Sequence, residues 1–271
     1  MSVTTRWPHR IVRFQVFAMM ILLGWPPAFS WAEPATGGAV SGERLEFNVH
    51  WEGVPAGRAS LTYETTGDPA QYTIKADLAS IGPVDWIYGI RDILTAQGTH
   101  QEMGLLTVNY TKVQSKGNKQ RHAEYTFQRA GNQVTLQRND DPPKVIDNVA
   151  NLSNDPLTAF YQLRRMPNLK NVTEKIQVPV VDSDRWYMAE VTTSPTDKLF
   201  TPLGWFQAFP LHPLVQSSEL FRQQGNLTVW VTDDARHMPL RVETKVRIGA
   251  VTADLIGYVD GRGETRSLHN P

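Results

Sequence analysis

From Leu227 to Leu255 the chain reads LTVWVTDDARHMPLRVETKVRIGAVTADL, and apolar and polar residues trade places there at nearly every step. Leu240, Val242, Thr244, Val246 and Ile248 alternate with Arg241, Glu243, Lys245, Arg247 and Gly249. Successive side chains of a strand point to opposite faces, so a period of two predicts a strand with one face in a core and one in water. Val229-Trp230-Val231-Thr232 is a run of β-formers that stops at Asp233-Asp234, and Val251 to Leu255 resumes the pattern after Gly249. The block therefore predicts two or three strands joined by turns.

The same period recurs upstream. Leu45, Phe47, Val49 and Trp51 point one way, the segment Gly53-Val54-Pro55-Ala56-Gly57 predicts a turn, and Ala59, Leu61 and Tyr63 return on a partner strand. Tyr72, Ile74, Ala76 and Leu78 mark a third strand. Ser80 to Asp92 breaks the alternation with Gly82-Pro83 and predicts a loop or short helical turn over one end of the sheet. Strands follow at about 93–101, 105–114, 120–129 and 133–138. Asp155 is a good N-cap and Pro156 a good first helical residue, with Leu157, Phe160, Tyr161 and Arg164 on one face. One short helix is expected, near residues 156–165. A second strand series begins at about Lys175, and the apolar, proline-broken segment 200–215 reads as an edge strand or a lid.

The fold expected is all-β: a large curved antiparallel sheet closing as a barrel or half-barrel. Its expected extent is one domain over 42–261, between a flexible leader at 33–41 and a polar tail at 262–271.

Arg6, Arg10 and Arg13 precede an apolar run from Phe14 to Trp25, Pro26-Pro27 ends it, and Ser30-Trp31-Ala32 places small residues where a signal peptidase cuts. Residues 1–32 read as a cleaved signal peptide, the run being short of the roughly 20 residues that span a bilayer. The chain has no cysteine, so the exported protein is expected to be neither disulfide-bonded nor a lipoprotein. Charge balances at 27 basic and 27 acidic residues, and without the three leader arginines 24 basic residues face 27 acidic ones. No basic stripe exists to displace counterions, which argues against nucleic acid as a partner.

Several motifs resemble the exported bacterial domain-of-unknown-function 3108 family. They are the W-V-T-D-D-A-R-H-M-P-L and R-I-G-A-V-T-A-D-L strings of the opening block, and Trp51, Gly53, Val54, Pro55, Ala56 and Gly57 in a W-x-G-[IV]-P-A-G pattern. Tyr88, Arg91 and Asp92 fit Y-x-x-[RK]-D, and Asp155, Pro156, Leu157, Thr158, Ala159, Tyr161, Leu163 and Arg164 fit a helix lying between two strand-rich halves. The resemblance implies a bacterial, periplasmic protein and supplies no chemistry.

Asp233, Asp234 and His237 are the most enzyme-like cluster, yet Asp-Asp-Ala-Arg between strands is also turn chemistry, with aspartates bonding backbone amides. No zinc-spaced histidine pair, G-x-S-x-G elbow, P-loop or dinucleotide fingerprint occurs, and no metal or cofactor is expected. Arg91 and Asp92 read as a charge pair fixing a loop to the sheet end. The candidate ligand or partner contacts are Trp86, Tyr88, Arg91, Asp92, Trp205, Phe206 and Trp230. The leading expectation is a periplasmic non-enzymatic protein holding a lipid, another hydrophobic ligand or an envelope client inside the curved sheet, under a lid at 200–209. The alternative is a structural protein of an envelope complex with no small ligand, and the third class is an envelope hydrolase using Asp233, Asp234 and His237.

Overall fold

The computed structural model describes residues 37–67, 71–172, 174–214, 227–246 and 249–267, so the signal segment lies outside the described residues. Two meanders meet at the middle of one sheet. Starting from β1 (Glu43–Trp51), the strands β2 (Val54–Thr66), β3 (Gln71–Ser80), β4 (Ile90–Gln101), β5 (Gly104–Lys116), β6 (Lys119–Gln128), β7 (Gln133–Arg138) and β8 (Lys144–Ile146) add one beside the next. On the other side of β1 lies β15 (Gly249–Asp260), followed outward by β14 (Pro239–Val246), β13 (Leu227–Thr232), β12 (Gly204–Leu214), β10 (Arg185–Thr193) and β9 (Ile176–Asp182). β11 (Asp197–Thr201) pairs with β12 alone, and β16 (Thr265–Ser267) with β15 alone. The expected all-β, antiparallel sheet is present, and the opening block forms β13, β14 and most of β15.

Of the two expected forms, barrel or half-barrel, the full barrel is not formed: among the described residues no ladder joins β8 to β9, so the sheet is open. It curves because bulges interrupt it at Glu46/Phe47, Val49/His50, Gln97/Gly98 and Trp230/Val231, and each bulge bends a strand. Gly98 serves that curvature, since a Cβ there would lie 2.1 Å from the Leu106 carbonyl oxygen and 2.3 Å from the Tyr72 hydroxyl.

Among the described residues two α-helices are present, one near 156–165 as expected and one within 80–92, where a loop or short helical turn was expected. Residues Gly82–Tyr88 form α1, ended by Gly89 at φ 51°, and Pro156–Arg164 form α2. Tertiary contacts hold α1 as a helix and not a loop. The first hairpin also turns earlier than its glycines and proline suggested. Glu52 at φ 49° and Gly53 at φ 79° make a two-residue turn, and Pro55 falls beside the bulge at Val49/His50, where a missing N–H is tolerated. Segment 200–215 is neither lid nor simple edge: β12 is an interior strand between β10 and β13 along its second half and pairs with β11 along its first.

The core occupies the concave face. Leu45, Phe47, Leu61, Ile74, Leu94, Val229, Val242 and Leu255 line it, and α2 lies within, buried at every position except Gln162. Asp155 caps α2, its Oδ1 accepting from the Leu157 and Thr158 amides at 2.8 and 3.1 Å, while Oδ2 accepts from Thr107 Oγ1 at 2.7 Å. Tyr161 stacks on Tyr63 at 5.2 Å, and Tyr72 Oη lies 3.1 Å from Thr158 Oγ1. At its C-terminus Arg164 reaches Glu43 of β1 with two hydrogen bonds of 2.7 and 2.6 Å.

Candidate functional site

The sheet end that carries α1 gathers most of the singled-out residues. Asp85, in the helix, accepts from Arg91 Nη1 at 2.6 Å and from Ser80 Oγ at 2.7 Å, and these bonds hold its carboxyl below the usual range. Arg91 also donates to the Ser80 and Ile90 carbonyls. Arg91 and Asp92 therefore do not pair with each other, contrary to the sequence reading. Adjacent strand residues face opposite ways, and Asp92 points to the concave side beside Leu94.

Fastened in this way, α1 turns Trp86 outward at 86% exposure and Ile87 at 71%, and Val54, on the strand against which α1 packs, is 56% exposed. A tryptophan and an isoleucine side by side in water on a rigid helix are what a surface kept for a partner looks like. Tyr88 is half-buried and carries Lys116 over its ring, with Nζ 4.5 Å from the centroid.

Trp205 and Phe206 lie elsewhere, on the β11–β12 hairpin. Trp205 is exposed and meets exposed Phe200 at 5.2 Å between centroids, while Phe206 packs partly on the core under Arg266. Trp230 is half-buried on the face opposite Val229 and Val231, between Pro210 and Arg241, and its Nε1 has no hydrogen-bond partner among the described residues.

Asp234 is engaged by its own turn, while Asp233 and His237 tie that turn to its neighbours. Asp234 accepts from Thr232 Oγ1 at 2.7 Å, from the Arg236 amide at 2.9 Å and from the Arg236 guanidinium. Burial works against that carboxylate, yet the bonds from Arg236 and Thr232 keep its pKa low. Asp233 pairs with Lys170 at 2.7 Å, and His237 Nδ1 donates to the Arg164 carbonyl at 2.8 Å, its pKa lowered by burial. Among the described residues no group of three His, Asp or Glu side chains is placed to hold a metal.

Three buried polar knots escaped the sequence reading. The first joins Glu43, Tyr161 and Arg164. In the second, Lys112 of β5 forms an ion pair with Asp182 at the end of β9, between the rings of Tyr110 and Tyr125. Beside it Asp92 accepts from Gln114 at 2.8 Å, and burial pushes its carboxyl up to about 6. The third ties Arg129 to the Ser153 and Thr107 carbonyls and Asn154 to the Thr107 amide. Strand parity could have found several of these residues: Glu43 shares parity with Leu45 and Phe47, and Asp92 with Ile90 and Leu94.

On the concave face, a cavity of about 20 Å³ lies between α2 and the sheet, lined by Phe47, Leu61, Leu157, Phe160 and Val242. That is room for about one water, whereas ligand pockets run to roughly 300–1,000 Å³. No helix among the described residues is long and apolar enough to cross a membrane.

A family model described as a protein of unknown function, DUF3108, matches residues 46–256. No curated protein matches the sequence. Among solved structures, a β-barrel-like protein of domain of unknown function DUF1849 from Brucella abortus is similar at 8% identity and a TM-score of 0.48, over 79% of this chain and 95% of that one. A protein described as exported, with a YmcC-like fold, from Bacteroides fragilis is 11% identical with a TM-score of 0.28, over 81% and 96% of the two chains. A protein described as a lipoprotein from Parabacteroides distasonis is 9% identical with a TM-score of 0.26, over 81% and 95%. These likenesses are too distant to transfer a function or a site.

Proposed function

Because the chain belongs to the DUF3108 family, whose description carries no activity, its role must come from its own geometry, and we propose that it is a non-enzymatic periplasmic protein of the bacterial cell envelope that acts as a docking body through its outer surface. The observation that carries this reading is the occupancy of the concave face by α2. A protein that holds a lipid inside a curved sheet needs an apolar cavity of several hundred Å³, whereas here α2 occupies the concave face and the cavity beside it measures about 20 Å³. Displacing α2 to admit a ligand would break the Asp155–Thr107 bond and strand Arg164 without its counter-charge. The non-enzymatic part is supported by Asp233, Asp234 and His237, which bond to Lys170, Thr232 with Arg236, and the Arg164 carbonyl in fastening this turn and its surroundings. The periplasmic part is supported by the leader sequence at 1–32.

Native mass spectrometry of protein taken from its own periplasm tests this. The polypeptide mass alone is expected; a lipid held one-to-one through desalting overturns the reading in favour of an interior carrier.

A further inference from the structure

We propose that the α1 end of the sheet docks onto an anionic phospholipid surface, an inference that rests on the outer-surface reading above. At seven residues α1 is too short to persist alone, so the protein itself must hold it in shape. Asp85 with Arg91 and Ser80 does so on one side, and the Ile81 amide bonded to the Ala56 carbonyl at 3.0 Å does so on the other. The result is a preformed knob bearing Trp86, Ile87 and Val54 in water. Tryptophan is the side chain most at home in the headgroup layer, where an apolar ring and an indole N–H are both satisfied.

Charge beside the knob matches such a surface. The β5–β6 turn abuts the helix end, its Gly117 amide bonded to the Gly89 carbonyl at 3.1 Å, and that hairpin carries Lys116, Lys119 and Arg121. Lys116 lies over Tyr88 and so sets a cation directly against the apolar group. Of the acids at this end, Asp85 is paired with Arg91 and Glu52 accepts from the Ala250 amide, while exposed Asp140 and Asp141 sit in the β7–β8 turn that Asn139 ties to His122, further from the knob than Lys116. Protruding apolar side chains flanked by cations fit a soft anionic interface; a protein partner would meet a convex knob with no groove to fill.

Co-sedimentation of the purified protein with vesicles tests the occupant. Vesicles of phosphatidylcholine and phosphatidylglycerol in equal parts should pull it down, phosphatidylcholine alone should not, and added salt should release it. Each basic residue near such a surface contributes about fivefold in partitioning, so Lys116→Gln with Lys119→Gln should weaken binding on the order of 25-fold. Trp86→Ser with Ile87→Ser should weaken it about tenfold or more through lost apolar burial, with the melting curve unchanged because both residues are exposed. Absence of binding, equal binding to neutral vesicles, or variants that bind like the parent would overturn the proposal. A protein that ignores vesicles yet is free of interior lipid loses only this occupant, whereas a bound interior lipid removes the reading beneath it.

Discussion

Glu43→Gln is the sharpest perturbation this fold offers, because it removes the counter-charge of a guanidinium with no access to water. Arg164 is 0% exposed and Glu43 2%. The pair is bidentate at 2.7 and 2.6 Å, Tyr161 Oη adds a third bond to the same carboxylate at 3.1 Å, and Arg164 Nε donates to the His237 carbonyl at 3.0 Å. Taking away one partner leaves an ion buried without compensation, which costs about 3–5 kcal/mol. In a chain of this size 1 kcal/mol moves the melting temperature by roughly 2–4 °C, so a fall on the order of 10 °C is expected. Urea unfolding should show a lower midpoint at an unchanged slope. Arg164→Met should cost more than Glu43→Gln, since it also leaves the Arg236 and His237 carbonyls without their donor. The double variant should cost less than the sum of the two single changes by about 2 kcal/mol or more. A loss under about 1 kcal/mol for Glu43→Gln, or strictly additive changes, would refute the view that this pair fastens the helix to the sheet.

Asp92→Asn should stabilise the protein at pH 7.5 by about 2 kcal/mol and have little effect near pH 4. Burial raises the folded-state pKa of Asp92 to about 6, above its unfolded value, so its favourable contribution is complete only at low pH and is lost as pH rises through about 6; urea midpoints across pH 4–8 check this. Asp155→Ala should cost about 1–3 kcal/mol, combining a lost N-cap with a lost bond from the Thr107 hydroxyl, and faster amide exchange at Leu157 and Thr158 would locate the damage. Gly98→Ala should cost about 1–3 kcal/mol, because its methyl would press on the Tyr72 hydroxyl and the Leu106 carbonyl; a neutral melting curve would show that the strand can yield there.

Strands were the legible part of this chain because burial follows parity so closely. Tyr72, Ile74 and Ala76 are buried as their alternation requires, and so are Leu45, Phe47 and Val49. The cap of α2 was legible as well, since Asp155-Pro156 signals a helix start by local chemistry alone. What escaped depends on contacts across the fold. The break in alternation at 80–92 predicts a loop or short helical turn, but that it becomes α1 depends on Arg91 and Ala56, neither of which lies within it, and the first turn begins at Glu52, whose positive φ its residue type does not announce. Of the candidate contacts, Trp86, Tyr88 and Arg91 share the α1 end, Asp92 faces inward, and Trp205 with Phe206 lies on a separate hairpin.

An open sheet must still be kept rolled, and in this protein side chains do it where a ladder does not. The β9–β10 turn at Asp182-Ser183-Asp184 is gripped from the opposite end of the sheet by Lys112 on Asp182, by Tyr125 Oη and Arg138 Nη2 on the Ser183 carbonyl at 3.0 and 2.6 Å, and by Lys144 on Asp184 at 3.3 Å. Inside the curve, α2 spans from β5 and β9 to Glu43 on β1. Backbone pairing adds only the bridge from Asn154, past β8, to Val180 of β9, with the Asn154 amide on the Pro179 carbonyl at 3.2 Å and the Val181 amide on the Asn154 carbonyl at 2.9 Å. The grips are a mixture of strengths. Lys144–Asp184 is half-exposed and adds little, while Lys112–Asp182 is buried and costly to break from one side. A lysine at an inward strand position is thus a statement about topology: Lys112 shares parity with Tyr110, and a buried ammonium there requires a carboxylate from whatever the sheet curls round to meet. Period-two patterning gives the face of each strand, and Lys112, a charged residue that breaks its rule, marks where the two ends of the sheet come together.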